Sequence, residues 1–140
     1  MPVGENCSLC LIAGVEQNQW VASRQIDILL RTRQPLGTTF ELANFGPWLQ
    51  ESNRLVRPGA PFWSTVQTEL PAAVLQQSGR LLDQSSELAA NVEGEQMRQL
   101  ALAALAAGAR GLWFRSRHSL DDDDPESHLR CLLLQRLNFE

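Results

Sequence analysis

Glu69 stands at the end of the segment Phe62-Trp63-Ser64-Thr65-Val66-Gln67-Thr68-Glu69. Read at a period of two, as a strand, this segment puts Trp63, Thr65, Gln67 and Glu69 on one side and Phe62, Ser64, Val66 and Thr68 on the other. A mostly polar face therefore runs up to a carboxylate at the strand's C-terminal end. Such a group can act on a substrate, or it can be a structural anion paired with an arginine. The same alternation in Leu112-Trp113-Phe114-Arg115 puts Trp113 and Arg115 on one face. If both polar faces point the same way, Arg115 lies near Glu69 and favours its ionised form, and Trp113 offers an apolar platform. Glu16, with Gln17, Asn18 and Trp20 close by, is a second candidate carboxylate, set against the plainer reading of a solvated loop acid.

Three other clusters resemble chemical sites less closely. Asp121-Asp122-Asp123-Asp124 with Arg115, Arg117 and His118 is the most charged stretch, and carboxylates beside a histidine suit hard cations. Four consecutive aspartates lack the alternating ligands and central glycine of a calcium loop, and negative charge before Glu126 fits a helix N-terminus better. No metal site is therefore expected. Cys7 and Cys10 form a C-x-x-C with no second pair, and on a strand they face opposite sides, so they and Cys131 read as reduced core residues. A serine-hydrolase elbow, a phosphate loop and a dinucleotide fingerprint are absent, and no cofactor is implied.

These residues have to be positioned by an α/β chain. Strands are expected near 7–14, 26–31, 62–69 and 111–116, although Ile26 to Arg33 also tolerates a helical reading. Between them lie helix signals: Thr38-Thr39 and Glu41 before a helix from about Phe40 to Val56, bent at Gly46-Pro47; Pro71 opening a helix to about Gln77, stopped by Ser78-Gly79; and the alanine- and leucine-rich stretch from Gly94 to Ala107, stopped by Gly108. Asp83 to Asn91 reads as a loop or short helix. Glu126 to Leu137 closes the chain as a helix with Leu129, Leu132, Leu133 and Arg136 at helical spacing. Strands alternating with helices argue for a parallel sheet, and 140 residues suffice for one domain, residues 1–140.

Composition bounds the partners. With 16 acidic and 12 basic residues, all of the latter arginine, the net charge is −4, and the arginines are scattered rather than striped. Nucleic acid is a poor fit. No stretch approaches the roughly 20 apolar residues that cross a bilayer, so the default location is cytoplasmic with no membrane partner.

Through Ser23-Arg24-Gln25-Ile26-Asp27, the segment Pro61 to Glu69 and the segment Ala106 to Phe114, the chain resembles the C-terminal half of a (β/α)8 (TIM) barrel glycoside hydrolase. The resemblance is to the retaining superfamily that includes β-galactosidases, and more closely to uncharacterised barrel proteins of planctomycete-type bacteria. It implies a partial barrel of about four parallel strands, the fifth to eighth, with Glu69 at the end of the seventh in the place of the nucleophile. It also implies a carbohydrate ligand lined by Gln67, Trp113, Arg115 and Glu16. Retaining hydrolysis needs a second, protonated carboxylate about 5 Å away, and the family keeps it at the end of the fourth strand, which has no counterpart here. Two readings follow: a glycoside hydrolase-like fragment that needs a missing half, or a non-catalytic α/β module whose open sheet edges pair in a homodimer.

Overall fold

The computed structural model describes residues 12–16, 27–54, 58–81 and 92–139. It is an α/β structure around one parallel sheet of four strands: β1 (Ile12–Glu16), β2 (Ile28–Thr32), β3 (Phe62–Gln67) and β4 (Gly111–Arg115), hydrogen-bonded in chain order. Among the described residues four helices accompany them: α1 (Phe45–Gln50), α2 (Ala72–Leu81), α3 (Gly94–Ala106) and α4 (Pro125–Phe139). The register sets Leu29 beside Phe62, Ser64 beside Leu112 and Val66 beside Phe114, which aligns one face of the sheet across three strands.

That face carries the core. Leu29, Phe62 and Val66 are buried against Phe45, Trp48 and Leu49 of α1 and Met97, Leu100, Ala101 and Ala104 of α3. Strand and helix thus bury complementary apolar faces, the largest favourable contribution to such a packing. The opposite face carries Leu30, Trp63, Thr65, Gln67, Trp113 and Arg115, and Trp113 keeps 46% of its surface exposed. Gly111 is there because Trp63 needs the space: a Cβ on Gly111 would stand 2.7 Å from the indole.

Several element boundaries differ from the sequence reading. β1 runs on to Glu16 because Gly14 pairs with Leu30 inside the parallel ladder instead of ending it, and residues 7–11, with Cys7 and Cys10, lie outside the described residues. The segment from Ile28 is strand, not helix. The expected helix from Phe40 to Val56 is divided into a 3-10 turn at Leu42–Asn44, the short α1 and a second 3-10 turn at Glu51–Arg54. Pro47 is accommodated because it falls in the first turn of α1, where its missing N–H has no helical partner to lose. Helix α2 continues through Ser78-Gly79 to Leu81, since these residues lower helix propensity without forbidding the backbone. Residues 82–91 lie outside the described residues.

Helix α3 begins where Gln96 Oε1 accepts from the Glu93 N–H at 3.0 Å, and ends at Gly108, whose φ of 96° is the left-handed geometry of a helix stop. The inward face of α4 takes only part of its leucine stripe: Leu133 and Leu137 pack against the core and Ser127 and Arg130 are buried, whereas Leu129 and Leu132 are about half exposed. Cys131 is half-buried rather than enclosed. Among the described residues no helix is long and apolar enough to cross a membrane.

Candidate functional site

Parallel strands deliver their C-terminal ends to one edge of the sheet, and in α/β folds that edge collects ligands. Here it gathers the residues after β2, β3 and β4. Glu69 lies two residues past β3, and its position is fixed from both sides. Thr68 Oγ1 donates to the Arg115 carbonyl at 2.7 Å, tying the chain to β4. Gln67 Nε2 donates to the Glu69 carbonyl at 2.8 Å and to the Leu36 carbonyl at 3.0 Å, while its Oε1 accepts from the Leu36 N–H at 2.9 Å. The whole Gln67 amide is thereby occupied in fastening the Leu36 loop to the strand end.

The Glu69 carboxylate is then enclosed by donors from the chain after β4 and from α4. Ser116 Oγ donates to Oε1 at 2.8 Å, and Arg117 gives Oε2 its Nε at 2.9 Å and its backbone N–H at 3.3 Å. His118 Nδ1 lies 3.4 Å from Oε1. Arg130 Nη1 donates to Oε1 as well, and its Nη2 holds Ser127 Oγ at 2.8 Å. Because Arg130 is buried, desolvation lowers its guanidinium pKa from the ordinary arginine value. Two guanidiniums on one carboxylate are charge-assisted contacts of the strong kind. They make Glu69 the point where β3, the segment after β4 and α4 meet.

A cleft of about 240 Å³ opens beside this cluster, lined by Glu69, Arg117, His118, Glu126 and Arg130 together with Leu75 of α2 and leucines of α4. His118, at the edge of this cluster, is largely exposed. Among the described residues no group of three or more His, Cys, Asp and Glu side chains is arranged to hold a metal ion.

The expected site residues are only partly brought together. Glu69 lies two residues past β3 rather than on it, because the strand pairing ends at Gln67; its arginine partners are Arg117 and Arg130, while Arg115 makes no ion pair with it but lines a common cleft with Gln67 and Glu69. The reason is the strand-end geometry: β4 ends at Arg115, and the next three residues turn over Glu69. Trp113 is on the open face, opposite Thr65 in register. Glu16 ends β1 and pairs with Thr32 in register, which puts it on the strand rather than in the loop beyond.

Sequence reasoning did not connect Ser116, Arg117, His118, Ser127 and Arg130 with Glu69. The available signal was the pair Ser127 and Arg130, three residues apart and so on one face of a helix. Comparison with protein-family models, curated proteins and solved structures finds no match to this chain.

Proposed function

We propose that the chain is a glycoside hydrolase-like half barrel, a partial (β/α)8 unit that binds carbohydrate at the C-terminal ends of its strands. The observation that carries this reading is the winding. Four parallel strands follow one another in chain order, with the core helices α1 and α3 on one face and the polar, tryptophan-bearing face turned away from them. A barrel has this arrangement, with helices outside and strand residues inside. Trp113 supplies the apolar surface a sugar ring stacks on, and Arg115 supplies donors at its rim.

Binding is favoured over hydrolysis by the chain alone. Both Glu69 oxygens accept from arginine, so attack on a glycosidic carbon would require release from at least one guanidinium. A retaining mechanism would also need an acid from a second half. In this reading Glu69 acts as nucleophile only in a completed barrel.

Calorimetric titration with lactose, a β-galactoside, is the test. Saturable binding that weakens at least tenfold in Trp113→Ala, with thermal unfolding unchanged, supports the reading. A wild-type chain that binds neither lactose nor cellobiose overturns it.

The open face also favours a second reading, in which two copies pair through the outer edges of β1 and β4 to close an eight-stranded barrel. Sedimentation equilibrium would give a dimer mass for this arrangement, and a stable monomer at high micromolar concentration would exclude it.

A further inference from the structure

The described arginines near the strand ends are used in two different ways. Arg117 and Arg130 are committed to Glu69. Arg33 and Arg115 line a cleft of about 580 Å³ that adjoins the one beside Glu69, and they have no hydrogen-bond or ion-pair partner among the described residues. We propose that this cleft binds a small oxyanion, the phosphate or carboxylate group of a ligand.

Among the described residues its lining contains two guanidiniums, Gln34 and the Thr38 and Thr39 hydroxyls, and no acidic side chain. Arg33 is already oriented, with its guanidinium carbon 3.9 Å from the centroid of the Phe40 ring. Stacking covers the face of the guanidinium and leaves its in-plane N–H donors free, the edge that pairs with an oxyanion. Thr38 Oγ1 lies within hydrogen-bond distance of the Gln34 and Pro35 carbonyls at 3.1 Å and accepts from the Phe40 N–H, so it shapes the loop, while Thr39 adds a hydroxyl without a partner among the described residues.

Two residues before Arg33 on the chain lies a third positive charge. Arg31 is 1% exposed, rests 4.1 Å from the centroid of the Trp48 ring, and among the described residues has no hydrogen-bond partner on any of its three guanidinium nitrogens. Burial lowers its pKa; the charge of Glu51 opposes this shift and that of Arg33 adds to it. An anion at the mouth would offset the repulsion between the two arginines. The inference rests on the placement of these arginines and not on the sugar reading, and its test uses no sugar.

Inorganic phosphate and acetate are titrated separately into the full chain while the side-chain Nε–H resonances of arginine are followed by NMR. The expected result is saturable movement of the Arg33 and Arg115 signals with at least one probe. Affinity should drop at least tenfold in Arg115→Gln and in Arg33→Gln and stay unchanged in Arg110→Gln, which lies just before β4, at the other end of the strand. A stronger response to phosphate identifies a phosphoryl group as the ligand's anion, and a stronger response to acetate a carboxylate. Movement that never saturates, or wild-type affinity in both cleft variants, overturns the proposal.

Discussion

At the scale of single residues, Glu69 and Arg130 dominate the energetics of the strand end. Arg130 is buried, so deleting its carboxylate partner leaves a desolvated guanidinium unpaired, a change that costs about 3 kcal/mol or more. Glu69→Ala is therefore expected to lower the urea midpoint substantially. Replacing both groups, as in Glu69→Leu with Arg130→Met, should recover most of the loss, because an apolar pair has no charge left to desolvate. Equal and additive losses in the double-mutant cycle would show that the two are not coupled.

Asp124 acts at the other end of this cluster. The Ser127 hydroxyl, then the backbone N–H groups of Ser127 and Glu126, hold its carboxyl below the ordinary aspartate value. A depressed folded pKa contributes stability above the unfolded value of about 3.9, and that contribution disappears as pH falls through the folded value. The difference in thermal midpoint between wild type and Asp124→Ala should thus be constant above about pH 5 and shrink at lower pH; a difference independent of pH would contradict this. That Glu69 stands near the C-terminal end of a strand was legible because the run from Phe62 reads as one; that the strand ends two residues before it was not. Nor were the partners of Glu69, since Arg130 lies 61 residues away and pairs with it only in the folded chain.

At the scale of elements, the site depends on how closely β3 and β4 approach. Trp63 and Gly111 are register partners, and the indole occupies the space a side chain on Gly111 would need. Gly111→Ala should displace Trp63 and cost about 1–3 kcal/mol, the range for overpacking a tight contact. Chemical denaturation measures the loss, and a shift in tryptophan emission reports the displacement. A variant as stable as wild type would mean that the indole moves freely. Strands β2, β3 and β4 were readable because short aliphatic and alternating runs have few other stable uses. The details of α4 were legible only in part: of the leucines that suggested an apolar inner face, Leu133 packs against the core, yet Leu129 and Leu132 face outward while Ser127 and Arg130 serve Glu69. A polar cluster at the strand end shares the inner face with the leucines, and no helical pattern records that choice.

At the scale of the whole molecule, an acidic chain of net charge −4 places Arg33, Arg115 and Arg117 at or just past the C-terminal ends of its strands. This local reversal of sign draws anionic or hydrogen-bonding ligands to one edge of the sheet. The α/β class and the parallel sheet followed from strands alternating with helices; which face stays open depends on how all the helices pack together, a property of no single segment.

Ligands held at that edge shift its backbone amides, and NMR during addition of lactose reads those shifts. The expected result is saturable movement concentrated in Gln67 to Leu70 and Trp113 to His118, with Ala60 to Phe62 and Arg110 at the opposite ends of the strands unmoved. Shifts centred on those opposite ends, or no saturable shift at either edge, would contradict it.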